Sequence, residues 1–191
     1  MNSPDSSIRV KRIFDKALEL GLRGVAITDH NEFTVANSPF SEVLAIPGME
    51  ICIEELHADI IALGIKKAVK PELSLKEALR EIRRQGGVVI VPHPFSSSHN
   101  YPSLGEKLFE VADLVDAVDI TSPQAHVNNR KARSAAESLR LAKTGSSDAH
   151  REQDIGRAVT VIQRPVNSIN ELLDRIRARE TKAKLLKQIN L

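Results

Sequence analysis

The sequence holds six histidines, and four of them stand at the borders of apolar runs. Asp29 and His30 follow GVAIT, Glu50 sits in MEICI, and His57 opens HADIIALGI. His93 follows VVIV between Pro92 and Pro94, and Asp148 and His150 close GSSDAH. Imidazole nitrogen and carboxylate oxygen in one set suit zinc, manganese or iron. Taken alone, each residue has a plainer reading. A histidine after a strand is usually a hydrogen-bonded core or cap residue, and Asp148 could cap the next turn. The set carries the inference, since several acids and imidazoles stand in equivalent places. His99 and His126 lie in polar, loop-like stretches without that context.

Something must bring these positions together. Five segments repeat an i, i+3, i+4, i+7 apolar spacing, which predicts helices with one buried stripe. They run through Val10–Ala17, Leu75–Ile82, Leu108–Val115, Ala132–Leu139 and Ile169–Ile176. Ser74 with Glu77, and Ser168 with Glu171, read as capping boxes, while Gly21 and Gly86 stand where helices should stop. Between the helices, Gly24–Thr28, Val43–Ile46, Met49–Ile53, Asp59–Ile65, Val88–Val91, Ala117–Thr121, Lys143–Ser147 and Ala158–Ile162 read as strands. Continuous apolar strands alternating with one-sided helices predict an α/β fold with a buried, largely parallel sheet. Met49–Ile53 and Asp59–Ile65 are close enough to form an antiparallel excursion. Ligands in such folds bind beyond the C-terminal strand ends, where the acids and histidines fall. One domain over 1–191 is the simplest division, with a helical tail after Thr181.

Composition narrows the function classes. With 41% hydrophobic and 27% charged residues, the chain is globular rather than disordered. No run approaches a membrane span, and MNSPDSSIRVKR lacks the order of a signal peptide. The single cysteine, Cys52, has no internal partner, so a reducing cytoplasm is the expected compartment. A formal charge of +2 gives no general pull toward nucleic acid, and the absence of Trp argues against a base-stacking platform. Local Arg and Lys bunches, such as Arg130, Lys131 and Arg133, fit solvated helix faces.

GVAITDHN, PGMEI followed by HADIIALGI, GGVVIVPHPF and GSSDAHREQDIGRA resemble, in order and spacing, successive motifs of the PHP (polymerase and histidinol phosphatase) family. The resemblance runs from about Ser3 to about Lys182. It implies a distorted, TIM-like (β/α)7 barrel with up to three divalent metal ions (zinc, manganese or iron) at its C-terminal rim. Asp5, His30 and His150 resemble one metal position. Glu50 resembles the bridging glutamate and, with His57 and His93, a second position; Asp148 and Glu50 contribute to a third. The family opens with a strand ending in His-x-His, and this sequence has none. The resemblance therefore implies that the first barrel strand is lacking, with a gap between Gly24–Thr28 and Ala158–Ile162.

The implied activity is hydrolysis of a small phosphomonoester or nucleotide, because clustered cations neutralise phosphate oxygens and acidify water. Glu50, Asp148 and His93 are then the catalytic candidates, with Arg130 and His99 as candidate phosphate contacts. A noncatalytic PHP-like scaffold for RNA or protein, as in ribonuclease P, is the competing reading. The local basic bunches and the lost His-x-His favour it, and the retained ligands and balanced charge oppose it.

Overall fold

The computed structural model describes residues 8–98, 102–124 and 126–186. Its frame is a curled six-stranded sheet in sequence order. The strands are β1 (Gly24–Ile27), β2 (Leu44–Ile53), β3 (Ala58–Leu63), β4 (Val88–Val91), β5 (Ala117–Thr121) and β6 (Ala142–Gly145). β1–β2, β4–β5 and β5–β6 are parallel, and β3 is antiparallel to both its neighbours. The antiparallel excursion is thus present. One difference is that Val43–Ile46 and Met49–Ile53 merge, across Pro47 and Gly48, into the single strand β2. Gly48 makes this passage possible, since a Cβ there would lie 2.8 Å from the Ala62 carbonyl oxygen on β3.

Alternation along the strands sorts side chains onto two faces. Met49, Ile51, Ile60, Ala62, Val89, Val91, Val118 and Ile120 point to the convex side, into the largest core cluster. There they meet α2 (Leu75–Arg84) through Leu75, Ala78, Leu79 and Ile82, and α4 (Asn129–Ser138) through Ala132, Ala135 and Ala136. The Ser74–Glu77 capping box forms, with the Ser74 amide donating to Glu77 Oε2 at 3.1 Å. α1 (Val10–Glu19) uses Ile13, Phe14 and Ala17 to cover Ile27 and Val43.

The concave face is apolar at its floor. Leu63, Val88, Ile90, Ala117 and Ala142 meet Leu172, Leu173 and Ile176 of α5 (Ile169–Arg177), which closes the bottom of the half-barrel. Before and after α5 come β7 (Ala158–Ile162) and β8 (Thr181–Leu185), an antiparallel pair of their own. Thr181–Leu185 is therefore a strand where a helical tail was expected: all five residues register against Ile162–Ala158, and residues 187–191 of that expected tail lie outside the described residues. The segment around Leu108–Val115 also departs from expectation. It is a one-turn helix α3 (Lys107–Glu110) and a 3₁₀ turn Ala112–Leu114, divided at Val111 with φ −127°. Leu108, Val111 and Val115 are buried as the spacing predicts, but the β-branched valine takes an extended φ.

The β7–β8 pair rests against the outer edge of β6 through side chains. Thr160 Oγ1 accepts from the Gly145 amide at 3.1 Å and donates to the Gly145 carbonyl at 3.0 Å, and the Thr181 hydroxyl donates to the Lys143 carbonyl at 2.9 Å. β1 pairs only with β2 among the described residues, and β7 only with β8. Between β1 and β7 lies a cavity of about 910 Å³ that both strands line along their length. Among the described residues the gap expected there is present, and their sheet is a half-barrel rather than a closed ring.

Candidate metal centre

The centre is built where strand pairing runs past the ends of β1 and β2. The Glu50 amide donates to the Asp29 carbonyl at 3.1 Å, and the Asn31 amide to the Glu50 carbonyl at 2.7 Å. This continues the parallel register as a single bridge that sets His30 beside Glu50. Glu50, 7% exposed, projects from the concave face between two imidazoles. Its Oε1 is 3.4 Å from His93 Nε2 and its Oε2 is 3.9 Å from His30 Nε2.

Asp59 completes the group. It pairs across β2–β3 with Cys52, two residues along from Glu50 and on the same face. One ligand atom each from His30, Glu50 and Asp59 fall within 4.8 Å of one another. Asp59 is 1% exposed, and neither carboxylate oxygen has an oxygen or nitrogen donor among the described residues. Burial, and then the charge of Glu50, push its carboxyl up to about 6. Burial and the neighbouring Asp59 likewise push the Cys52 thiol up to about 11, so it stays neutral. A buried carboxylate without oxygen or nitrogen donors, facing a second carboxylate and an imidazole, fits a cation: metal coordination would supply the missing positive partner. The mixed oxygen and nitrogen donors suit zinc, manganese or iron.

His93, Asp148 and His150 stand around this group, and all three line the cavity with His30 and Glu50. His93 follows β4 and Asp148 follows β6; both have left-handed backbones, with φ +27° and +45°. Side chains other than glycine adopt that region at a cost of about 1–3 kcal/mol, and such strain gathers at working sites. Burial lowers the His93 imidazolium, but its contact with Glu50 outweighs this and leaves its pKa raised. Asp148 is raised by burial and by Glu50, against the opposing pull of His93, His150 and His30. His150 Nδ1 lies 3.1 Å from the Asp148 carbonyl and 3.8 Å from its Oδ1.

The remaining candidates stand apart. His57 is exposed and left-handed (φ +46°), at the turn before β3, and the place expected for it beside Glu50 is taken by Asp59. Arg130 is exposed on α4 and does not line the cavity. Asp5 and His99 lie outside the described residues. Two acids were missed by sequence reasoning. Asp59 and Asp119 each interrupt an apolar strand, in HADIIALGI and AVDIT, and a lone acid in a buried run is the signal that could have found them. Burial pushes Asp119 up to about 7, against the Ser146 hydroxyl that donates to its Oδ2 at 2.6 Å.

Comparison with known proteins bears on the family. A family model described as PHP-associated matches residues 126–181. Uncharacterized protein MJ1587 of Methanocaldococcus jannaschii is 32% identical over 133 residues, covering 66% of this chain and 75% of that protein. Uncharacterized protein MJ0417 of the same organism is 32% identical over 140 residues, covering 70% of this chain and 55% of that protein. Among solved structures, a two-domain protein from Bacteroides vulgatus containing a predicted PHP-like metal-dependent phosphoesterase is similar in fold, with a TM-score of 0.75 at 18% identity over 95% of this chain and 61% of that one.

Proposed function

We propose that this chain, which belongs to the PHP family, is a metal-dependent phosphoesterase acting on a small phosphomonoester or nucleotide. The observation that carries this reading is the convergence of His30, Glu50 and Asp59 within 4.8 Å at a largely buried position. Divalent metal bound there would neutralise phosphate oxygens and lower the pKa of water.

The chain's own residues divide the remaining work. Glu50 faces His30 with one oxygen and His93 with the other, so it serves as a bridge between two halves of the centre. Asp59 adds the second buried carboxylate, and Asp148 with His150 closes the rim opposite. His93 is positioned to hold or pass a proton at Nε2, since its pairing with Glu50 favours the charged form. The cavity beside the centre, about 910 Å³, is in the range of small-ligand sites and far short of a polymer channel. Two or three metal ions per chain, drawn from zinc, manganese or iron, belong to this proposal.

The test is phosphate release from a panel of small phosphomonoesters and nucleotides with manganese or zinc, before and after chelation. Turnover that disappears on chelation and returns with metal supports the reading. No release from any ester with either metal would overturn it.

A further inference from the structure

One wall of the cavity carries polar groups that the metal centre does not use. Asp119 and Thr144 are cross-strand partners in the β5–β6 pair. They are 3% and 4% exposed, and both line the cavity beside Ser146. The Ser146 hydroxyl donates to Asp119 Oδ2 at 2.6 Å and so fixes the carboxyl group. Its other oxygen, Oδ1, has no hydrogen-bond partner among the described residues, and neither has Thr144 Oγ1. Two buried polar atoms on adjacent strands, in residues that both line one cavity, are unfavourable until something pairs with them.

We propose that this wall is a subsite for a hydroxyl group on the substrate's leaving alcohol. The proposal rests on the phosphoesterase reading and deepens it: the ester's alcohol is a polyol or sugar, with a hydroxyl beyond the one that is phosphorylated. A hydroxyl both donates and accepts. It can donate to Asp119 Oδ1 and accept from the Thr144 hydroxyl, so one group satisfies both atoms. An ammonium has no acceptor for the Thr144 hydrogen. A phosphate oxygen would face the Asp119 carboxyl with like charge, which leaves the phosphate to the metal side. In the hydrolysis, water oxygen bonds to phosphorus, the ester P–O bond breaks, and the alcohol departs with a proton. The hydroxyl held at Asp119 and Thr144 takes no part in that exchange and serves selection.

The experiment compares glycerol 3-phosphate with propyl phosphate, which has the same three-carbon length and no free hydroxyl. Manganese-loaded full-length chain should show kcat/KM higher for glycerol 3-phosphate by on the order of tenfold or more, as hydrogen-bonding subsites reject analogues that lack the bonded group. Asp119→Ala and Thr144→Val should bring the ratio toward one, and Thr144→Ser, which keeps the hydroxyl, should retain it. Circular dichroism checks that each variant is folded. Equal kcat/KM for the two esters in the unaltered chain would overturn the subsite and leave the phosphoesterase reading standing. If neither ester is hydrolysed, calorimetric binding of the two to the manganese-loaded chain decides. Tighter binding of glycerol 3-phosphate sustains the subsite, and equal or absent binding overturns it.

Discussion

Replacing Asp59 by asparagine should stabilise the metal-free protein at alkaline pH while weakening its hold on metal. Burial and Glu50 raise this carboxyl from 3.8 to about 6. An acid whose folded pKa lies above its unfolded one favours folding while protonated. That contribution is complete below about 3.8 and is lost as pH rises through about 6. The displacement corresponds to about 3 kcal/mol at pH 8 and roughly half of that at pH 5. Asparagine keeps the shape without the charge, so it should recover much of this difference. Urea unfolding with a chelator present, at both pH values, measures it. Saturating manganese should reverse the order, because a ligand at about 100 times its Kd adds ~2.7 kcal/mol to the native state, and the variant has lost a donor. A metal-free variant less stable than the parent at pH 8 would refute the reasoning. It would mean that Asp59 is held by native bonds and does not await a cation.

Manganese affinity should rise between pH 5 and 7, since Asp59, raised to about 6, must lose its proton to serve as a ligand, and Asp148, also raised, adds to the dependence. Calorimetry in two buffers of different ionisation enthalpy would register the released protons, and a pH-independent affinity would count against both ligands. Glu50→Gln should weaken metal binding by at least about 10- to 100-fold, the range already seen when only the supporting partner of a ligand is lost. His57→Asn, which suits the left-handed turn and leaves the buried group untouched, should keep it within about twofold, as exposed changes without backbone strain stay near 0.5 kcal/mol. Leu173→Ala removes part of the plug beneath the centre and should cost about 2–5 kcal/mol in thermal or urea unfolding.

The fold was legible wherever periodicity is strong. α2 and α5 follow their apolar stripes and caps, and His30, His93 and Asp148 follow strand ends. What failed was local. Thr181–Leu185 reads as part of a basic helical tail, because its strand state depends on β7, which lies more than fifteen positions earlier and offers five paired residues. His57 is the residue that the family resemblance sets beside Glu50, and Asp59, one acid inside an apolar run, does not stand out as a donor. Both residues share one strand parity, and only the turn at positive φ separates the exposed one from the buried one. Asp119 and Thr144 were invisible as a pair, since their proximity exists only through the β5–β6 register.

The unclosed sheet has a consequence for how the protein breathes. β3, β4 and β5 are bonded on both sides and almost wholly buried, whereas β1 has one neighbour among the described residues and is four residues long. Backbone amides of β1 should therefore exchange with deuterium through local opening, well before those of β4 and β5 exchange through global unfolding. His30 sits just past the end of this loosely held strand, and Glu50 and Asp59 belong to the better-held pair beside it. A cation shared among the three would fasten the labile margin to the firm interior. Its arrival should be visible as slower exchange along Gly24–Ile27, with little change in strands that were already protected.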